Sequence, residues 1–222
     1  RIKTGVKREG TMLAREAEIY LDTGGYDHNG PEVTARSATR ILGPYWIPNI
    51  RTDAYQVYTN TGSAGSYRAI GAPQVIYAGE SQIEILAAKL GMDPAELRMK
   101  NLLNNGQELR PGLKGIDANL SSSLKTLVRA SGWKKSLKKN HAPVGMGCAI
   151  TNAGATPVSV ALIRMQSDGI ANISAGSTEM GQGVRTTLTQ IAAEELTLPM
   201  ESFRILGADT KLTPYDSSTG SS

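Results

Sequence analysis

The sequence predicts a mixed α/β fold in which sheets pack with helices, divided into domains over residues 1–108 and 109–222. Three observations carry this. A strand–turn–strand pattern occurs near the start of each half, and three segments show apolar residues at the helical spacings of three and four. Between Asn104 and Asn119 periodicity is lost amid Gly106, Pro111, Gly112 and Gly115, which reads as a linker. A length of 222 residues suffices for two small domains with cores. A hydrophobic share of 40% against 20% charged excludes a disordered or collagen-like chain.

The first strand pair is expected from Ile2 to Val6 and from Thr11 onward, around a Lys7-Arg8-Glu9-Gly10 turn whose glycine tolerates positive φ. The stretch Leu13 to Leu21 has helix-favouring composition, yet its place after a tight turn favours strand, with Leu13, Ala17, Ile19 and Leu21 on one face. Pro73 to Leu90 reads as an amphipathic helix stopped by Gly91. Asp93-Pro94 then restarts a helix, with Asp93 as cap, Pro94 in the first turn and Glu96 placed as in a capping box. In the second half, Val158 to Met165, a Ser167-Asp168-Gly169 turn and Ile170 to Ser174 form another strand pair. Val184, Leu188, Ile191, Ala192 and Leu196 make a helical stripe ending before Pro199.

Several function classes fall away. The net charge of +4 includes the run Lys134, Lys135, Lys138 and Lys139, without interleaved aromatics beyond Trp133, so it reads as a solvated face rather than a nucleic-acid surface. No apolar run, Ala142 to Ile150 included, approaches the ~20 residues of a membrane span. The lone Cys148 reads as a small buried hydrophobe and suits a reducing, cytoplasmic setting. No CxxC or His-x-x-x-His spacing offers a metal site, so a metal is expected only on a cofactor. A start at Arg1 with no leader-like segment, and an end in Ser221-Ser222, read as a piece of a longer protein.

Two segments could bind a ligand. Ala175 to Gly183, with Gly176, Gly181 and Gly183, lies between a strand and a helix, where unsatisfied N–H groups and the helix dipole favour an anion; the plainer reading is an ordinary glycine-rich turn. Ser66 to Gln74 places Arg68 and Gly71 directly before a helix, and Arg suits a planar or anionic ligand; alternatively Arg68 pairs with a surface carboxylate. His28 and His141 read as loop histidines. Glu80 and Glu84 share a helical face, either as a carboxylate pair or as packed and solvated side chains, and Glu194-Glu195 reads as ordinary helix surface.

Taken together, the segments resemble the molybdenum-binding large subunit of the xanthine dehydrogenase and aldehyde oxidase family. Asp22-Thr23-Gly24-Gly25-Tyr26 is similar to that family's Asp-Thr-Gly-Ala-Tyr, Gly43 to Asn49 to its Gly-Pro-Tyr-x-Ile-Pro-Asn, and Thr59-Asn60 to its Thr-Asn pair. Tyr67-Arg68-x-x-Gly71-x-Pro73-Gln74 resembles its (Phe/Tyr)-Arg-Gly-Phe-Gly-x-Pro-Gln, and Leu97-Arg98-x-x-Asn101-Leu102 follows. Thr178 to Gly183 with Thr186, then Ala208-Asp209-Thr210, resemble a second cofactor-binding region. The motifs stand in the family's order.

The resemblance implies two molybdopterin-binding domains, incomplete at both ends, and a molybdopterin cofactor or its cytosine dinucleotide whose metal no protein side chain ligates. It implies hydroxylation of an aldehyde or N-heterocycle with water as oxygen source, and electron transfer to iron–sulfur clusters and FAD on other domains or subunits. By position, Tyr67 and Arg68 would lie beside the metal centre, Met180, Gly181 and Gln182 would hold the pterin, and Ser221 and Ser222 would begin a further pterin segment. Arg36 matches a substrate-binding Arg of purine-oxidising members; alternatively it is a solvated Arg on a helix. Ile70 stands where those members have a Phe that stacks on the substrate, so a purine would lose a contact of ~0.5–1.5 kcal/mol beyond area burial. The family's catalytic base, a Glu, is expected beyond residue 222, leaving this chain inactive alone. A non-catalytic assembly or binding module keeping the fold is the rival reading, and a phosphate-binding enzyme using the Gln182 loop a weaker one.

Overall fold

The computed structural model describes residues 1–110, 112, 114–136, 144–150, 159–207 and 209–216. Lys138, Lys139, His141, Val158, Ala208, Ser221 and Ser222 therefore lie outside the described residues. The chain forms two compact units, Arg1–Thr151 and Asn152–Ser222. No helix among the described residues is long and apolar enough to cross a membrane.

In the first unit, β1 (Ile2–Val6) runs antiparallel to β2 (Met12–Gly24) across the expected turn, with Gly10 at φ 90°. The strand reading of the Leu13 to Leu21 stretch thus holds against its helix-favouring composition. β3 (Asn49–Tyr58) lies parallel to β2, reached through α1 (Gly30–Arg40), a strand–helix–strand crossover that the motif reading left unassigned. The sheet order is β1-β2-β3.

One face assignment fails at the strand's start. Val6 pairs with Met12 and Gly5 with Ala14, so Leu13 is the extra residue of a bulge that breaks the two-residue alternation. Met12 is buried in its place and Leu13 is exposed. Further along the expected face, Ala17 and Ile19 pack with Ile41, Leu42 and Val75, and Arg15 sits among them. The Arg15 guanidinium donates from Nε to Thr4 Oγ1 (3.2 Å) and from Nη1 to the carbonyls of Ile41 (3.0 Å) and Leu42 (3.4 Å), while its buried Nη2 has no partner among the described residues.

Helix α2 (Ala72–Leu90) ends on Gly91 in the left-handed conformation, as expected from a C-terminal glycine. At the start of α3 (Pro94–Asn101), Asp93 accepts the Ala95 N–H at 2.8 Å, while the returning bond of a capping box from Glu96 is not formed. α4 (Leu120–Ala130) and the short α5 (Trp133–Ser136) follow the glycine-rich stretch. Leu124 joins Met12, Tyr45, Ile47, Ile83, Ala87, Leu97 and Leu102 in the main core, and Trp133 is buried, so both elements pack with the first unit. The division into units consequently falls at residue 151, downstream of the 104–119 stretch where sequence places the linker.

Across this core runs a charged network. Arg98 on α3 has no exposed side-chain surface; it pairs with Glu80 (2.9 Å) and Glu84 (2.7 Å) of α2 and donates to the Met146 carbonyl (3.0 Å). Glu80 also accepts from the Tyr45 hydroxyl (2.6 Å) and the Cys148 N–H (2.8 Å). Of the two readings of Glu80 and Glu84, packing prevails. Burial opposes the Arg98 charge, but Glu80, Tyr45 and Glu84 outweigh it and hold the guanidinium above its ordinary value. Burial and the Glu80 charge push the Tyr45 hydroxyl and the half-buried Cys148 thiol up, keeping both neutral.

In the second unit, β4 (Ala161–Met165) and β5 (Ala171–Ala175) pair antiparallel as expected, and β6 (Phe203–Ile205) adds parallel to β5. α6 (Val184–Leu196) ends on Thr197 before Pro199. Ala171, Ile173, Ala192 and Phe203 form this unit's core.

The network yields a stability prediction. Arg98→Ala leaves Glu80 buried without its cation and should cost ~3–5 kcal/mol in urea unfolding. Glu84→Ala, whose carboxylate is 47% exposed, should cost under ~1 kcal/mol in the same measurement.

Candidate functional site

The segment before α2 is a tight turn built on left-handed backbone. Ile70 N–H donates to the Tyr67 carbonyl at 2.8 Å, and Ala69, Ile70 and Gly71 have φ of 67°, 27° and 73°. A positive φ is easy for glycine but strained for alanine and more so for β-branched isoleucine. Gly71 is required on a second count, because a Cβ there would lie 2.5 Å from Ser37 Oγ and 2.6 Å from the Val33 carbonyl. That close approach seats the turn on α1, where the Ser37 hydroxyl donates to the Gly71 carbonyl at 3.0 Å. Arg40, in the last turn of α1, donates from Nη1 to the carbonyls of Ala69 (2.5 Å) and Ile70 (2.7 Å). Burial and the neighbouring Arg36 press the Arg40 pKa below its ordinary value. Upstream, Asn29 accepts the Ser66 N–H at 2.8 Å and donates to the Ser66 hydroxyl.

This arrangement leaves Tyr67 and Arg68 facing outward. Tyr67 is 83% exposed, and Arg68 is exposed with no hydrogen bond or ion pair to a described residue, so the surface-carboxylate alternative finds no support. Arg36 lies on the same helix as Arg40, exposed and paired with Glu32 at 3.1 Å. Arg36 thus shares α1 with Ser37 and Arg40, which hold the turn, and its own partner is Glu32, as for a solvated helical arginine.

The glycine loop lies in the second unit, between β5 and α6, as the sequence suggests. Its backbone N–H groups have a resident acceptor. Glu179 Oε1 accepts from Gly181 (2.8 Å) and Gly183 (3.1 Å), and Oε2 from Arg185 (3.4 Å), so one carboxylate occupies the helix N-terminus. The amide of Gln182 braces the loop, accepting from Met180 N–H and donating to the Thr178 carbonyl, both at 2.8 Å. The N–H groups of Gly183, Gly181 and Arg185 hold the Glu179 carboxyl below the ordinary glutamate range. Thr178 to Gly181 are exposed.

Sequence reasoning singled out neither Arg40 nor the role of Glu179. The signal for Glu179 was present, an acid two residues before Gly181 and four before Gly183. For Arg40 the only signal was its spacing of four from Arg36, which becomes readable once residues 30–40 are known to be a helix.

Comparison with known proteins bears on the family. Residues 1–102 and 123–222 each match a molybdopterin cofactor-binding domain. The chain is 35% identical to a probable xanthine dehydrogenase subunit of Bacillus subtilis (strain 168), over all of this chain and 31% of that protein. Against the putative xanthine dehydrogenase molybdenum-binding subunit of Escherichia coli (strain K12) it is 31% identical over 96% of this chain and 30% of the relative. The chain belongs to the molybdenum-binding large-subunit family of xanthine dehydrogenase and aldehyde oxidase. It superposes on the aldehyde oxidoreductase of Desulfovibrio desulfuricans ATCC 27774 with a TM-score of 0.80 at 26% identity, covering 99% of this chain and 26% of that one. It thus spans about a third of the length of the curated relatives it matches. Membership makes molybdopterin the cofactor of both matched domains.

The geometry of the glycine loop predicts a pH dependence. Glu179 has its pKa lowered on folding, so its contribution is complete above the unfolded glutamate value of about 4.3 and is lost as pH falls through the lower folded value. The protection factors of the Gly181 and Gly183 amides, taken against the intrinsic exchange rate at each pH, should be steady above the unfolded glutamate value and fall as the carboxylate is protonated; Glu179→Gln should make them independent of pH. Protection factors that do not change with pH in the unsubstituted protein would refute the assignment.

Proposed function

We propose that this chain is part of a molybdopterin-dependent oxidoreductase that hydroxylates an aldehyde or N-heterocycle with water as oxygen source. The observation that carries the reading is the donor set of the 178–185 loop, three N–H groups converging on one carboxylate, beside a Gln182 amide and Met180 N–H that now bond within the loop and would turn to the ligand. Such a set fits the acceptor oxygens of a phosphate or pterin, which would take over the place of Glu179. When bound, molybdopterin supplies the metal at which the carbon is oxidised.

The chain's own residues bind and orient. Met180 and Gly181 hold the pterin through backbone groups and Gln182 through its amide, with Ser221 and Ser222 beginning a further pterin segment. Tyr67 and Arg68 would stand beside the metal centre, where the Arg68 guanidinium would stabilise developing negative charge. Arg36 and Ile70 face the substrate, and Ile70 offers a purine no aromatic ring to stack on. The gap between the family matches, 1–102 and 123–222, supports a division of the cofactor-binding domains near 108, even though the compact first unit extends to residue 151. The catalytic Glu lies beyond residue 222, iron–sulfur and FAD partners receive the electrons, and the setting is cytoplasmic.

Two outcomes test this. The isolated 222-residue chain should carry no molybdenum by metal analysis and show no hydroxylase activity, because its cofactor contacts are shared with segments outside it. In the complete enzyme, Arg68→Lys keeps the charge but loses the planar fork, so turnover or molybdenum occupancy should fall at least tenfold with Tm nearly unchanged. A variant indistinguishable from the parent in both assays would return Arg68 to the surface.

A further inference from the structure

We infer that Arg40 is a positioning residue: its guanidinium clamps the left-handed turn at Ala69 and Ile70 and so fixes how Arg68 and Ile70 are presented. This rests on the proposed function, in which the turn faces cofactor and substrate.

The turn has a backbone its residues resist. Two successive non-glycine residues hold positive φ, one of them β-branched, and such strain persists only where surrounding structure imposes it. Its flanks are held elsewhere, at Ser66 by Asn29 and at Gly71 by Ser37. The strained pair itself is gripped by one side-chain group, Nη1 of Arg40, which reaches both of its carbonyls. Glu32, the acid of α1, is engaged with Arg36, so Arg40 directs its donors at neutral carbonyls. Both bonds leave one nitrogen whose two N–H directions are fixed in the guanidinium plane, whereas a shorter lysine ammonium keeps the charge and donors without that fixed direction. A free arginine would not be held half-buried beside a second arginine for no contact.

The turn supplies its own reporter. The Arg68–Ala69 bond is a trypsin site on an exposed segment, and the turn must open for cleavage. In the complete enzyme, Arg40→Gln should raise cleavage at Arg68–Ala69, and amide exchange over residues 66–72, about tenfold, with Arg40→Lys intermediate and Tm little changed. Ala69→Gly removes strain at its source, so in the Arg40→Gln background it should recover most of the protection, a non-additive effect that a general loss of stability would not give. Unchanged cleavage and exchange in Arg40→Gln, or full additivity with Ala69→Gly, would overturn the clamp. If Arg40→Gln does not fold, Arg40→Lys with and without Ala69→Gly makes the same comparison.

Activity separates the clamp from the function it rests on. An opened turn should lower kcat/KM of the cofactor-loaded enzyme, with partial recovery by Ala69→Gly. Opening with kcat/KM unchanged would leave the clamp standing and remove the turn from the site, overturning the positioning role.

Discussion

The first unit depends on where one carboxylate is placed. Glu80 sits on the buried side of α2 and accepts from three directions, the Arg98 guanidinium on α3, the Tyr45 hydroxyl and the Cys148 N–H. An ionised carboxylate in that position is tolerable only because every one of these is a donor. Each donor comes from a different stretch of chain, so the requirement to satisfy one buried charge fixes α2, α3, the segment around Tyr45 and residues 146–148 together. Once α2 is fixed, its N-terminal end is fixed too, and the turn that carries Arg68 is the entry to that end.

Much of this frame was legible, though as something else. The motifs at Gly43 to Asn49 and Leu97 to Leu102 were read as family marks and turn out to build the core: Tyr45 and Ile47 are buried, Arg98 holds Glu80, and Asn101 accepts Met12 N–H while donating to the Gly10 and Leu97 carbonyls. The Asp22 and Thr59 motifs likewise meet each other, the Thr59 hydroxyl donating to the Asp22 carboxylate at 2.6 Å. Caps and stops read cleanly, since Gly91 and Asp93 act through local backbone rules. The bulge at Leu13, the parallel strand β3 and the burial of Arg15 did not, because each depends on partners distant in sequence. No alternation along β2 alone announces that a hairpin register slips by one residue.

The candidate site was legible as position but not as mechanism of support. Both loops were placed correctly as entries to helices, one before α2 and one between β5 and α6. What sequence could not supply was the internal partner each loop uses. Glu179 satisfies the glycine N–H groups that would otherwise wait for a ligand, and Arg40 satisfies carbonyls turned outward by a left-handed backbone. In both cases the supporting side chain is charged and its partner is neutral backbone, a pairing that charge patterning along the chain does not reveal.

The two loops also differ in how they reach an unusual conformation, and the difference bears on what each can do. The 178–185 loop places glycine at both positive-φ positions, Gly181 and Gly183, so it can change shape cheaply and yield the place of Glu179 to another acceptor. The turn before α2 places alanine and isoleucine where the family pattern has glycine and phenylalanine, and so holds its shape against local preference. Strain of that kind costs about 1–3 kcal/mol per residue and is kept where geometry matters more than stability. A loop that must admit a ligand is built from permissive residues; a turn that must present a guanidinium and a side chain at fixed positions is built from resisting ones, locked from outside.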